Sequence, residues 1–261
     1  MSTVRAPTGI GCVYLISERP KYSRMLKSSV AGLRRHSPDV PVIVFVVTPD
    51  PLGEEAAQQI AELEKLVDVV RAVEPLDVES GYFCDNKQHL ADTGFAHFLY
   101  LDADTFVFGD IRRLFDEYAH CDLVARPSDW AFRVGYRASM VPDVLCPVNG
   151  GVVLMSDAFV QQWAQQMRTW NAEVRDGLEY PELVAWLERI SPHKLWPREE
   201  WSLALAAWRG DYRVALMTDR DCHLLADDPE NEIAANWVRS TIFHTYTAYW
   251  ERCAKRLQEA R

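Results

Sequence analysis

Clustered cysteines are missing from this chain. Its six cysteines, Cys12, Cys84, Cys121, Cys146, Cys222 and Cys253, are scattered with no C-x-x-C pair. A structural zinc site or a disulfide framework needs closer spacing, so they read as reduced, packed thiols. Long apolar runs are missing too. None approaches the roughly 20 residues of a membrane span, and the opening MSTVRAPTGIGC lacks the apolar segment of a secretory signal. The expectation is a cytoplasmic chain with no transmembrane segment. Basic charge is short as well. A formal net charge of −10 is the opposite of the basic footprint that general nucleic-acid binding requires. An acidic protein can still take an anionic substrate if local cations or a metal reverse the field at the site. No repeat or low-complexity linker interrupts the 261 residues, and 48% of them are hydrophobic, enough for a sizeable core. The chain reads as one domain over 1–261.

What is present alternates. GCVYLIS (11–17) and VPVIVFVV (40–47) are short apolar runs bounded by charge, Pro or Gly, which predicts buried strands. YSRMLKSSVAGLRRH between them has helical spacing. GEEAAQQIAELEKL (53–66) predicts a helix and VDVVRAV a short strand, followed by strands at HFLYLD (97–102), CDLVAR (121–126) and VNGGVVLMS (148–156). Strands alternating with helices predict an α/β fold with a mostly parallel central sheet flanked by helices. Residues 127–147 read as a long aromatic active-site loop. Helices are predicted beyond it, with late strands at YRVALM and TIFHTY. The basic amphipathic end YWERCAKRLQEAR is either a solvated helix or a weak peripheral contact for an anionic membrane.

The run FLYLDADTFVFGD (98–110) carries the chemistry. Asp102 and Asp104 stand one residue apart just past the end of an apolar strand, where open α/β sheets bind ligands. Aspartate is common in such turns. Two carboxylates leaving one strand edge together, however, suit a hard cation such as Mn²⁺ or Mg²⁺, held jointly with a phosphate-bearing substrate. Asn149, Gly150 and Gly151 open the 148–156 strand. The glycines permit a turn or a close backbone approach, and Asn supplies a donor and an acceptor for sugar hydroxyls.

The D-x-D strand followed some 45 residues later by VNGGVVLMS resembles the nucleotide-sugar glycosyltransferases of the GT-A fold, most closely the glycogenin and bacterial galactosyltransferase type. That resemblance extends more loosely over residues 11 to 250. It implies a metal-dependent transferase taking a nucleoside-diphosphate sugar, UDP-linked, with a glycan, protein or small molecule as acceptor. A nucleotide-binding part is implied over about 1–126 and a sugar and acceptor part over about 127–261. Asp102 and Asp104 would hold the metal, Ala103 would lie between them against the donor, and the terminal histidine, here His244, would complete the coordination. Tyr14, Leu15, Ile16 and Ser17 end the strand where the family seats the nucleoside, and Tyr22 is placed to stack on the base. Lys87 would face the donor diphosphate. Glu199 and Glu200 open a helix at which the family places an acidic or amide residue near the anomeric carbon, and they stand where a D-Q pair is usual. Asp129 is a second acidic candidate. A general base on the acceptor, needed only if the reaction inverts, would be Glu200 or Asp129.

Two rivals are a nucleotidyltransferase and a catalytically silent sugar-binding protein on the same fold. The first normally carries a Gly-rich basic loop after the first strand, and ISERPKYSRML contains no glycine. Intact Asp102, Asp104 and His244 argue against the second.

Overall fold

The computed structural model describes residues 9–49, 52–76, 83–128, 131, 135–141, 144, 146–175, 180–190, 198–225 and 228–259. Strand β1 (Ile10–Ser17) and strand β2 (Val42–Val47) are almost wholly buried and pair in parallel. Buried apolar strands of this kind need cover on both faces. Helix α1 (Pro20–His36) supplies part of it, turning Met25, Leu26, Val30 and Leu33 inward. Pro20 in its first turn has a φ already suited to a helix start. Helix α2 (Glu54–Leu63) then leads to the edge strand β3 (Val69–Val73), parallel to β2.

Strand β4 (His97–Leu101) lies on the other side of β1, again parallel. The chain thus runs outward through β1, β2 and β3 and returns to the far side of β1. The reversal makes the β1/β4 junction a topological switch point, where a crevice opens at the carboxyl ends of the strands. The sheet continues through β6 (Leu123–Pro127), β7 (Val148–Ser156) and β8 (Val214–Leu216), in the order β3-β2-β1-β4-β7-β6-β8. Strand β7 is antiparallel to both β4 and β6. The expected mostly parallel sheet is therefore found, with one inverted strand.

A second sheet was not legible in the sequence as a sheet, although one of its strands falls within the predicted TIFHTY. It consists of β5 (Thr105–Val107), β10 (Ile242–His244) and β9 (Cys222–Leu224), with β10 antiparallel to β5 and parallel to β9. Strands β5 and β9 have three residues each, too few for periodicity to register. The stretch around Lys87 is a 3-10 helix, Phe83–Asp92. Helix α3 (Arg112–Glu117) follows β5, and helices α4 (Asp157–Arg175), α5 (Pro181–Ile190) and α6 (Arg198–Arg209) cover the β7 side. In the core, the Trp163 indole N–H donates to Ser202 Oγ at 2.9 Å, tying α4 to α6.

The described residues of the expected loop over 127–147 are partly buried. Ala131, Tyr136, Val141 and Val144 are buried, and the Tyr136 ring lies 4.8 Å from Trp201 and 6.0 Å from Trp186. Burying those aromatics fastens the segment to α5 and α6. Beyond the short helix α7 (Ala234–Trp237), helix α8 (Trp250–Glu259) turns Cys253 and Leu257 into a cluster with Trp237 and Phe243. Its apolar face is thereby already covered by protein. Among the described residues no helix is long and apolar enough to cross a membrane.

Gly32 is where α1 meets β5. A Cβ there would sit 2.6 Å from the Val107 carbonyl oxygen, a backbone atom that cannot rotate away. Gly32→Ala should therefore destabilise the fold by about 1–2 kcal/mol in denaturant titrations, because overpacking outweighs the helix-propensity gain of alanine.

Candidate active site

The two pairings that end at the D-x-D turn build the site. Because β7 runs against β4, with Leu101 opposite Val152, the entry to β7 lies beside the exit of β4. The Asp102 N–H donates to Gly151 O at 2.7 Å. Because β10 runs against β5, with His244 opposite Thr105, the imidazole arrives next to Asp104. His244 Nε2 lies 3.4 Å from Asp104 Oδ1 and 3.8 Å from Asp102 Oδ2. One donor atom from each of the three residues falls within 4.8 Å of the others.

Gly151 makes that convergence possible. A Cβ at this position would stand 2.1 Å from His244 Cε1 and 2.6 Å from Asp102 Oδ2. The space a side chain would fill is occupied by the two prospective ligands. Two carboxylates and an imidazole are hard and borderline donors suited to Mn²⁺ or Mg²⁺, and the residues fit such an ion. Burial pushes the His244 imidazole down, but its hydrogen bond to Asp104 and the charges of Asp104 and Asp102 outweigh this and raise it.

The turn is braced from behind. Thr105 Oγ1 donates to Asp102 O at 2.9 Å, Ser29 Oγ lies 2.8 Å from Thr105 Oγ1, and Tyr14 OH lies 2.9 Å from Ser29 Oγ. With Thr105 donating onward, this forms a relay from β1 through α1 to the D-x-D backbone. Tyr14 therefore belongs to the core, where burial pushes its phenol well up. Leu15, Ile16 and Ala103 are likewise buried. The side chains of these four residues are enclosed by protein packing, which leaves the backbone at the end of β1 and at the D-x-D turn as the part that faces the crevice. Ser17 does reach the edge of the sheet, with its Oγ enclosed and free of hydrogen bonds. Tyr22 is half-buried, its ring parallel to Phe83 at 6.3 Å between centroids.

Lys87 is only 2% exposed. Its Nζ donates to Gly150 O at 2.9 Å and lies 3.7 Å from Asp102 Oδ1 and 3.8 Å from Glu199 Oε1. Burial pushes the ammonium down, but Asp102 and the other nearby acidic groups outweigh it and keep the group charged. Glu200 accepts from Asn149 Nδ2 at 3.0 Å and Gly150 N at 3.2 Å on Oε1, and from Ser128 Oγ at 3.1 Å on Oε2. Burial first, and then the charge of Glu199, push its carboxyl up to about 7 against the pull of those donors and of Lys87. Asp129 lies outside the described residues. Lys87, Asp102, Asp104, Asn149, Gly150, Gly151, Glu199, Glu200 and His244 are thus brought together. Sequence reasoning missed Tyr100, Ser128 and Thr247, which hydrogen-bond to the carboxylates. The alternation of β4 was the available signal for Tyr100, since residues two apart share a face.

No protein-family model matches the sequence, and no curated protein matches it either. Solved structures do. The galactosyltransferase LgtC, in complex with donor and acceptor sugar analogues, is similar at a TM-score of 0.54 and 14% identity, over 95% of this chain and 95% of that one. An active-site mutant of LgtC gives a TM-score of 0.54 at 13% identity, over 94% and 95%. The bifunctional glycosyltransferase WbbM gives 0.53 at 9% identity, over 95% of this chain and 49% of that one. At such identities the likeness is one of fold, and the fold is GT-A.

Two outcomes follow from this geometry. Gly151→Ala should leave a folded protein of lowered melting temperature, measurable by calorimetry, because the methyl group displaces His244. The second concerns pH. A carboxyl whose pKa is raised on folding is tolerated best when protonated, so the Glu200 contribution to stability falls as pH rises from about 4.5 through about 7. Glu200→Gln should therefore gain melting temperature relative to the parent at pH 8, with the advantage shrinking toward pH 4.5.

Proposed function

We propose that this chain is a metal-dependent glycosyltransferase that moves a sugar from a nucleoside-diphosphate donor, UDP-linked, to an acceptor hydroxyl. The observation that carries the reading is the convergence of Asp102, Asp104 and His244 at the carboxyl edge of β4. A divalent cation held by these three residues would neutralise the charge that develops on a departing diphosphate. GT-A neighbours whose names state glycosyl transfer support the reaction class.

The remaining groups take roles from their positions. Lys87, fixed by the Gly150 carbonyl, is a buried cation facing the same edge and offsets anionic charge without moving. Asn149 is oriented by Glu200 through its Nδ2 and holds Gly151 N through its Oδ1, at 3.0 Å each. It is thus seated to meet sugar hydroxyls through the remaining amide hydrogen and lone pair. Glu200, raised to about 7, has the affinity a general base needs near neutrality. In an inverting course it takes the acceptor proton. In a retaining course it stabilises the cationic sugar centre. Ser17 at the end of β1 and Tyr22 in the first turn of α1 form the nucleoside side of the crevice.

The test is a donor-hydrolysis and thermal-shift screen over nucleotide sugars. With Mn²⁺ present, UDP at 100 times its dissociation constant should stabilise the protein by about 2.7 kcal/mol, more than GDP does. Excess chelator or Asp104→Ala should reduce both the shift and hydrolysis to background. Full activity in chelator would overturn the reading, and a larger shift with GDP would overturn the choice of uridine alone.

A further inference from the structure

Glu200 is held entirely by neutral partners. Its Oε1 accepts from Asn149 Nδ2 and Gly150 N, and its Oε2 accepts from Ser128 Oγ. No salt bridge reaches it among the described residues. The ammonium of Lys87 instead donates to Gly150 O and stands 3.7 Å from Asp102 Oδ1 and 3.8 Å from Glu199 Oε1. The three charged side chains nevertheless meet around one residue of β7. A Cβ at Gly150 would lie 3.4 Å from Lys87 Nζ and 3.6 Å from the Cγ atoms of both Glu199 and Glu200. One ammonium shared by Asp102 and Glu199 leaves the Glu200 charge uncompensated. Its place in the first turn of α6 makes that charge tolerable, since a helix N-terminus favours an anion. The wall beside Asn149 is therefore electronegative and fixed in position.

We propose that Glu200 is a specificity-determining residue that restricts the donor to uncharged sugars and rejects those bearing a carboxylate, the hexuronates. The inference deepens the proposed function and rests on it. Ser128 occupies one lone pair of Oε2, which leaves another that a sugar hydroxyl hydrogen can meet. A hexuronate carboxylate brings no hydrogen and a second negative charge. Two like charges about 6–8 Å apart, at an effective dielectric constant of about 20, cost about 30- to 100-fold in affinity. Specificity of this kind comes from the repulsive element, and a neutral sugar does not meet it. The site has little freedom to relax away from the clash. Three donors fix Glu200, and Lys87 is only 2% exposed and already committed to the Gly150 carbonyl.

The test is calorimetric titration of the full chain with matched donors in the presence of Mn²⁺: UDP-glucose against UDP-glucuronate, and UDP-galactose against UDP-galacturonate. Each pair differs only in a hydroxymethyl group exchanged for a carboxylate, so shape is nearly held while charge changes. The titrations are run at pH 8, above the value of about 7 to which Glu200 is raised. In the parent protein each neutral donor should bind about 30- to 100-fold more tightly than its acidic partner. Glu200→Gln keeps the shape of the side chain and removes its charge, and should bring the two donors nearly level by tightening the uronate. Glu200→Ala, a second uncharged variant, should narrow the preference in the same direction. Equal binding within either pair by the parent, or a preference undiminished in the folded variants, overturns the inference and leaves the proposed function standing. A parent protein that does not bind UDP with Mn²⁺ present overturns the proposed function, and the inference with it.

Discussion

Two carboxylates and an imidazole are crowded within 4.8 Å at the end of one strand, and the surrounding structure exists largely to make that arrangement tolerable. Like charges at such range repel, more strongly where water is scarce. The chain answers with a buried lysine 3.7 Å from Asp102, hydroxyl donors on the outward oxygens of both aspartates, and a backbone relay through Thr105, Ser29 and Tyr14. A cluster braced from so many directions is stiff before any ligand arrives. That stiffness is what a metal site needs, since ligands that must first be ordered bind more weakly.

The inverted strand β7 is the second constraint. Had it run parallel to β4, its glycine-rich entry would lie at the opposite edge of the sheet, and Asp102 would face the bulkier residues at its far end. Running antiparallel, it brings Asn149, Gly150 and Gly151 to the carboxyl ends of the parallel strands. Gly150 then lends its carbonyl to Lys87 and its N–H to Glu200, so one short backbone segment fixes a cation and a carboxylate at the same mouth. The helix that carries Glu199 and Glu200 is held against the sheet by the tryptophan-rich packing of Trp163, Trp186 and Trp201. Apolar burial on the inner face of that helix, beginning at the adjacent Trp201, thus sets the height at which Glu200 sits.

Much of the fold was legible because its signals are local. The apolar runs at 11–17 and 40–47 became β1 and β2, the D-x-D turn stands at the end of β4, and the N-G-G residues open β7. The three-residue strands β5 and β9 carry too little pattern of their own, and the pairing of β10 with β5 spans more than 130 residues of sequence. Side-chain direction at Tyr14, Leu15, Ile16 and Ala103 was not legible in the same way. Proximity in sequence to a binding edge says nothing about the direction of a side chain, and these four point into the core.

The sequence by itself determined the alternation of strands and helices, the location of the paired aspartates after an apolar strand, and the glycines that would admit a close approach. These follow from side-chain chemistry acting over a few neighbouring residues. Only the tertiary structure decided that His244 joins the aspartates rather than the core, that Lys87 is buried among three acidic groups, and that Tyr100 and Thr247 each tether one carboxylate oxygen. Those are contacts between segments distant along the chain. Their existence depends on strand direction and register, which are set by the packing of the whole sheet and leave no mark in any short window of residues.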